Sequence, residues 1–257
     1  MSWLALDLGN SALKGGLFEA GRLVHTFRVA EPDAAGLQQQ LTAALSDYRP
    51  TRAAMASVVP ACTPVVQETV QQLTGVRPAL IGPDWRLPFT LAYETPHTLG
   101  TDRLAAAVAA WELYGRPRRR PVLALLAGTA LTIEVIDEHG CYQGGVIAPG
   151  PSLMRQALTK GTAQLPEVPL EWPPSPVGRS THTAIQAGLL YGFVESARGL
   201  LRRVAETLAT PPIVILSGGW ASLLETHLGK QIDVHDPHLV LRGVYLLLEC
   251  NPDRGLP

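Results

Sequence analysis

The feature that most constrains the fold of this 257-residue chain is a strand-and-turn sequence that occurs twice. The segment "LALDLGNSAL" covers residues 4–13, and "LALLAGTALT" covers residues 123–132, at a constant offset of 119 residues. A glycine follows the apolar run in both copies. The large chemical difference is that Leu126 stands where the first copy has Asp7. The repeat predicts that the chain consists of two related halves.

The elements predicted behind each turn follow the same order, three strands and then helices and strands in alternation. In the first half, strands are predicted at 3–6, 13–18, 23–29, 53–59 and 78–82, and helices at 36–48 and 64–73. In the second half, strands are predicted within 121–148 and at 212–219, and helices at 152–158, from Thr181 onward and near the C-terminus after Pro237. The proline-rich stretch 164–176 predicts an irregular loop.

Composition favours a globular protein whose main partner is neither nucleic acid nor a membrane. Hydrophobic residues make up 46% of the chain and charged residues 17%, so a substantial core can be buried. The net charge of −1 argues against nucleic acid or an anionic membrane as a partner, and the basic run 116–120 is expected to be a solvated loop. The three cysteines lack metal-ligand spacing and the N-terminus lacks a basic signal-peptide segment, which together favour a cytoplasmic location.

The first turn offers groups that suit a phosphate. Gly9 permits close approach of the backbone, and Asn10 and Ser11 add polar side chains beside backbone N–H groups. Asp7 is a hard oxygen ligand suited to Mg²⁺, directly or through water, and Lys14 adds a positive charge. We therefore expect a phosphate-binding turn.

The second turn repeats the small residues, with Thr129 and Thr132 as hydroxyl donors. An alternative is that both turns are only tight hairpins, with Asp7 accepting hydrogen bonds from turn amides. The repetition favours phosphate binding, because a hairpin does not require the same small polar residues twice.

A third motif, "GTDR", precedes an alanine-rich helical run and places Asp102 and Arg103 in the first turn of a helix. An acidic residue there could simply complement the helix dipole. That explanation does not cover Arg103, whose charge is unfavourable at this end unless the side chain binds an anion. Asp102 beside it is a candidate base for a substrate hydroxyl.

Taken together, "DLGNSALK", "GTDR", "GTALT…GGVIAPG", "GRSTHTAIQAGLLYG", "SGG" and "LVLRG" resemble the type III pantothenate kinases, over nearly the whole chain. This family belongs to the superfamily of acetate kinase, sugar kinases, heat-shock proteins and actin-like ATPases, and some relatives are called Bvg accessory factors. The resemblance implies a duplicated ribonuclease H-like α/β fold, with facing halves at residues 1–99 and 100–257, each with a mixed sheet and helices. It also implies ATP-dependent phosphorylation of pantothenate to 4'-phosphopantothenate, the first step of coenzyme A biosynthesis, by a cytoplasmic homodimer using Mg²⁺.

The resemblance assigns roles residue by residue. The implied ATP-binding residues are Asp7, Leu8, Gly9, Asn10, Ser11, Ala12, Leu13, Lys14 and Thr129. The implied substrate-binding residues are Tyr93, Gly100, Thr101, Asp102, Arg103 and Thr181, with Asp102 as proton acceptor and Thr181 supplied across the dimer interface. Two alternatives stay open: Tyr93 could be an ordinary strand aromatic, and Thr181 an ordinary helix N-cap with Ala184 at the third helical position.

The chain departs from the family pattern at Leu126, where the resemblance implies an aspartate that holds K⁺ or NH₄⁺. Leucine has no atom that coordinates a cation. Backbone carbonyls or a carboxylate from another strand, such as Glu134, could instead form a cation site. Two other functions are therefore kept open. One is a sugar kinase of the same superfamily, which only fold analogy supports. The other is a regulator that binds nucleotide or pantothenate with weak or no catalysis.

Overall fold

The structure is a computed structural model that describes residues 2–30, 34–82 and 84–256. In chain order, its strands are β1 Ser2–Leu8, β2 Ala12–Glu19, β3 Arg22–Ala30, β4 Arg52–Ser57, β5 Ala79–Leu80, β6 Thr90–Leu91, β7 Val122–Ala127, β8 Ala130–Ile136, β9 Cys141–Pro149, β10 Ile213–Ser217 and β11 Val234–His235. Its α-helices are α1 Ala34–Leu45, α2 Thr63–Thr74, α3 Thr101–Ala110, α4 Pro151–Gly161, α5 Thr181–Ala205, α6 Ala221–Leu228 and α7 Leu239–Cys250. None of these described helices combines the length and apolar character needed to cross a bilayer.

The chain forms two compact units. The first contains the residues up to Arg118, the short segment Gly140–Gln143 and the residues from His238 onward. The second contains Arg119–His139 and Gly144–Pro237.

The sheet of the first unit has the order β3-β2-β1-β4-β5. The first three strands form an antiparallel meander, and β4 and β5 continue the sheet in parallel. Leu4, Leu6 and Leu8 alternate along β1 and are fully buried in a core that also receives Leu41 of α1 and Val66 of α2. This alternation is the period-two signal that predicted the strand.

Helices α3 and α7 of the first unit are in close contact. A side-chain carbon added at Gly243 of α7 would lie 1.8 Å from the carbonyl oxygen of Ala105 in α3. The helices therefore approach so closely that their backbones touch, which only glycine permits at this position. Residues 103–110 of α3 are all buried, which explains why the sequence there is rich in alanine.

In the second unit, β7 and β8 pair antiparallel, while β10 and β11 extend the sheet in parallel from β7. The strand order around them is β9-β8-β7-β10-β11. Phe193 and Ala197 of α5 and Leu224 of α6 pack with Leu123 and Leu125 of β7 in the core of this unit. The short β6 pairs in parallel with the first residues of β9, which belong to the first unit.

Both units thus have the strand order third, second, first, fourth, fifth, and the prediction of a duplicated α/β fold is confirmed. The irregular loop at 164–176 is also present. Among the described strands and α-helices, three were not predicted: β6 and β11 have two residues each, too few for a periodic pattern, and α6 begins directly after a glycine turn. The domain boundary after residue 99 stays a prediction; by contacts, α3 and α7 group with the first unit.

Candidate active site

The first predicted turn joins β1 and β2, with Asp7 at the end of β1 directly opposite Lys14. Asp7 is 6% exposed, and its Oδ2 lies 3.7 Å from Lys14 Nζ. Burial raises the pKa of Asp7 to about 6, and the nearby Asp102 carboxylate adds to the increase, while Lys14 opposes it. A raised pKa of this size means that the surroundings compensate the negative charge of the buried carboxylate poorly.

The turn itself is compact. The Gly9 N–H donates a hydrogen bond to the Ala12 carbonyl at 3.1 Å, and the side chains of Asn10 and Ser11 are exposed. The side chains of Leu8, Ala12 and Leu13 are buried in the unit's core. A ligand at this turn would therefore meet their backbone rather than their side chains.

The "GTDR" segment begins α3, with Gly100 as N-cap. The hydroxyl of Thr101 bonds both backbone groups of Ser57, accepting from its N–H at 2.8 Å and donating to its carbonyl at 3.0 Å. Since Ser57 ends β4, which lies beside β1, these two bonds fasten the start of α3 to the sheet edge that carries Asp7.

The Asp102 carboxylate is partly buried, and its Oδ1 accepts a hydrogen bond from the Arg103 backbone N–H at 2.8 Å. Within the described chain, Oδ2 has no hydrogen-bond partner. A side-chain carbon added at Gly100 would lie 2.7 Å from Asp102 Oδ1, so a larger residue there would displace the Asp102 carboxylate. The arrangement leaves one carboxylate oxygen available to a ligand.

Arg103 is 7% exposed, and its Nη2 donates to the phenolic oxygen of Tyr142 at 3.3 Å. The ring of Tyr142 meets that of Tyr93 edge to face, with centroids 5.8 Å apart. Tyr93 follows β6 in an irregular segment, so the alternative of an ordinary strand aromatic is wrong. The first unit thus contains Asp7, Lys14, Tyr93 and the residues of "GTDR".

The second turn joins β7 and β8 and lies in the second unit. Leu126, partly buried, is opposite Thr132 on β8 and beside Ser217 on β10. The first hairpin closes with Leu8 opposite Leu13, whereas the second closes with Ala127 opposite Leu131 and is one residue shorter. The Asp7–Lys14 pair therefore corresponds in register to Leu126 and Thr132, a difference that the gapless sequence alignment does not show.

Glycines bring three chain segments together around the end of β7. The Gly150 N–H, at the start of α4, donates to the Thr129 carbonyl at 3.0 Å. A side-chain carbon at Gly150 would lie 2.3 Å from the Gly128 carbonyl, and one at Gly218 would lie 2.4 Å from that of Ala127. Gly218 also has a φ of 110°, which favours glycine. These close approaches account for the "APG" and "SGG" motifs.

Thr181 is the first residue of α5 and is exposed. The alternative that it caps the helix is wrong, because Ser180 is the N-cap: its hydroxyl accepts from the Thr183 N–H, and the Thr183 hydroxyl accepts from the Ser180 N–H. Thr181 is therefore free of a capping role. With Leu158, Arg179 and Ile185 it lines an open groove of about 740 Å³ in the second unit.

Sequence reasoning missed two features of these sites. Serine is a preferred N-cap residue, and Ser180 directly before the helical pattern could have identified the cap. Tyr142 gave no signal, since its contacts with Arg103 and Tyr93 join residues distant in the chain.

Comparison with known proteins agrees with these observations. The sequence model of the family described as type III pantothenate kinase matches residues 3–203. The chain is 40% identical to type III pantothenate kinase 1 of Symbiobacterium thermophilum, covering 97% of both chains, and 35% identical to the type III pantothenate kinase of Bacillus cytotoxicus, covering 96% of this chain and 95% of the relative.

Among solved structures, a Baf family transcriptional activator from Campylobacter jejuni is similar in fold, with a TM-score of 0.60 and 17% identity, over 98% of this chain and all of the other. At this identity the likeness concerns the fold alone. The family match and the near-full-length relatives establish more than the fold: this chain belongs to the type III pantothenate kinase family.

Proposed function

We propose that this protein transfers the γ-phosphoryl group of ATP to the primary hydroxyl of pantothenate, giving 4'-phosphopantothenate. Membership of the family supports this activity. The observation that carries the proposal is the proximity of two carboxylates with different surroundings, buried Asp7 beside Lys14 and Asp102 beside Arg103. One suits metal-assisted binding of phosphates, and the other suits activation of a hydroxyl.

The nucleotide is proposed to bind at the turns. In the first turn, backbone N–H groups and the exposed polar residues Asn10 and Ser11 would face the phosphates, and the half-exposed Lys14 would supply positive charge. Thr129 is proposed as the second nucleotide contact. Phosphoryl transfer relies mainly on positioning and charge stabilisation, which such groups provide.

Asp7 is proposed to hold Mg²⁺, directly or through water. The residue fits this role, since its carboxylate is buried, is close enough to Asp102 for that carboxylate to raise its pKa further, and has its charge only partly compensated by Lys14. When bound, Mg²⁺ would offset charge on the phosphates. A monovalent cation does not fit at Leu126, whose register neighbours Thr132 and Ser217 supply hydroxyls but no carboxylate.

For the acceptor, Asp102 is proposed as the proton acceptor and Arg103 as the ligand of the pantothenate carboxylate. Asp102 Oδ2 would accept the hydroxyl proton as the oxygen attacks the γ-phosphorus and the bond to ADP breaks. Thr101, tied to Ser57, would hold both residues in position. Tyr93 is proposed as an aromatic contact of the substrate.

The active form is proposed to be a cytoplasmic homodimer in which Thr181 of one protomer completes the substrate site of the other. Its exposure and its freedom from capping support this role. In a two-fold symmetric dimer, a residue that one protomer supplies to its partner is supplied by the partner in return.

The test is a coupled assay of ADP release with pantothenate, ATP and Mg²⁺. We expect saturable turnover with pantothenate and none with neutral sugars, which offer Arg103 no carboxylate. A panel in which sugars react and pantothenate does not would support a sugar kinase. Binding of both ligands without product in a single-turnover experiment with excess protein would support a regulator.

A further inference from the structure

A buried tyrosine links the two residues proposed to recognise the substrate. Tyr142, the second residue of β9, has no exposed surface. Its hydroxyl oxygen accepts a hydrogen bond from Arg103 Nη2 at 3.3 Å, and Arg103 itself is only 7% exposed. A buried guanidinium is held in one orientation by such acceptors.

Tyr142 also fixes the segment that carries Tyr93. Its backbone carbonyl accepts from the Ala92 N–H at 3.0 Å, and Leu91 of β6 pairs with it in register. The Tyr142 ring meets Tyr93 edge to face at 5.8 Å and lies nearly parallel to Phe89 at 6.0 Å. With the ring confined by Phe89 and the backbone by β6, its hydroxyl has little freedom to move.

We propose that Tyr142 is a positioning residue that sets the specificity of this site for acceptors that carry a carboxylate. This inference rests on the proposed function, in which Arg103 binds the pantothenate carboxylate. The Tyr142 hydroxyl occupies one donor of the guanidinium and thereby orients the remaining donors. Without it, Arg103 keeps its charge but loses one of the contacts that fix its direction, and bidentate binding of a carboxylate requires that direction.

The experiment compares Tyr142→Phe with wild type for two acceptors, pantothenate and pantothenol, in which an alcohol replaces the carboxylate. We expect Tyr142→Phe to raise Kd and KM for pantothenate about tenfold, as for loss of a hydrogen bond to a charged group. The KM for ATP and the Kd for pantothenol are expected to stay unchanged.

Tyr245→Phe is the matched control. The Tyr245 hydroxyl also has a charged partner, Glu249, at 2.6 Å, and its ring stacks on Phe18 away from the proposed substrate residues. This variant should bind both acceptors like wild type. A thermal melt within a few degrees of wild type would confirm that Tyr142→Phe is folded.

A double-mutant cycle provides a second arm. In an Arg103→Lys background, Tyr142→Phe should no longer weaken pantothenate binding, because the group that it orients is absent. An equal loss in both backgrounds would overturn the inference.

The outcomes separate the two proposals. If wild type binds pantothenate and pantothenol equally, Arg103 does not recognise the carboxylate, and both the assignment and this inference are overturned. If wild type binds pantothenate more tightly than pantothenol and Tyr142→Phe keeps the same preference, only the inference about Tyr142 is overturned. A loss of affinity for ATP and both acceptors alike would show a structural role and would also overturn it.

Discussion

At the scale of single residues, Asp7 shows how a binding site can oppose stability. Its carboxylate is buried at a strand end, near Asp102, and among the residues that the structure describes its ion-pair partner is the half-exposed Lys14. The raised pKa means that the folded state prefers the protonated form. Ionising the buried carboxylate is unfavourable in the free protein, and a bound cation removes this cost by pairing with the charge. The burial that weakens the fold therefore strengthens cation binding.

We expect Asp7→Asn to stabilise the protein at pH 8 in the absence of metal and nucleotide. The native pKa is about 6 and the reference value is 3.8. Stability is therefore lost as pH rises from 3.8 to 6, and the full penalty, about 3 kcal/mol at most, is present above pH 6. The stability that Asp7→Asn gains over wild type should shrink as pH falls and vanish near pH 4.

Urea unfolding in EDTA at several pH values measures this difference. Asp47→Asn, at an exposed position, is the control and should show no comparable trend. If Asp7→Asn were stabilised over wild type by the same amount at pH 4 and pH 8, the argument from ionisation of Asp7 would be contradicted.

We expect Asp102→Asn to keep the fold and pantothenate binding and to lose roughly 10²–10⁴ in turnover. The Asn amide oxygen can still accept from the Arg103 N–H, so the helix start should be preserved. Single-turnover rates and pantothenate affinity should be measured together. Near wild-type rates with chemistry limiting would exclude Asp102 as the base.

At the scale of elements, the close contact of α3 and α7 makes a strong prediction. Gly243→Ala places a methyl group 1.8 Å from the Ala105 carbonyl and should cost roughly 3 kcal/mol. Gly199→Ala is the control on α5, where an added carbon meets nothing within 4 Å, and it should be neutral or slightly stabilising. Equal denaturation midpoints for the two variants would show that the helices can separate without cost.

The β7–β8 turn carries a prediction about cations. With Leu126 and Thr132 in place of the Asp7–Lys14 pair, the turn has no carboxylate for K⁺, and the Thr132 hydroxyl is buried without a hydrogen-bond partner in the described chain. We expect turnover that depends little on K⁺ or NH₄⁺. Initial rates at fixed ionic strength, with Na⁺ or a bulky organic cation as replacement, measure this; a large saturable rise with K⁺ would contradict it.

Leu126→Asp provides the reverse test. The new carboxylate would lie opposite Thr132, whose free hydroxyl can donate to it, and beside Ser217. Near bound phosphates its charge should slow the reaction unless a cation compensates it. The variant should therefore gain a dependence on K⁺ that wild type lacks, whereas Leu126→Asn, which is uncharged, should not.

The same turn shows what the sequence could predict. Alternating leucines identified β1 and β7, and the shared glycines identified both hairpins, because these signals are local. The shorter second hairpin was hidden, since register depends on hydrogen bonds between strands. Tyr142 was missed for the same reason: its role depends on Arg103, 39 residues away in the chain.

At the scale of the whole molecule, the two sheets repeat one strand order while their chemistry has diverged. The first unit carries the buried carboxylate, the "GTDR" helix and the aromatic residues around Arg103. The second has the uncharged turn and, at the start of α5, an exposed threonine beside an open groove. The repeat predicted the fold because a duplicated sequence implies duplicated topology, and its aligned copies showed the exchange of Asp7 for Leu126. It could not predict the aromatic residues around Arg103, because those contacts join residues distant in the chain.

The proposed sharing of Thr181 between protomers can be tested by complementation. Thr181→Glu should be inactive because its carboxylate would repel the substrate's, yet a negative charge in the first turn of α5 suits the helix dipole, so the fold should be kept. Asp102→Asn should be inactive for the chemical reason given above. In a mixed dimer of the two variants, one site would contain both changes and the other neither.

Random mixing should then restore about a quarter of wild-type activity, since about half of the dimers are mixed and half of their sites are intact. Two different affinity tags would isolate the mixed species and confirm that it forms. If isolated mixed dimers have no activity, Thr181 acts within its own protomer; if Thr181→Glu alone is fully active, Thr181 does not contact the substrate. Recovery of activity in the mixed species requires that each site draw on two copies of the chain.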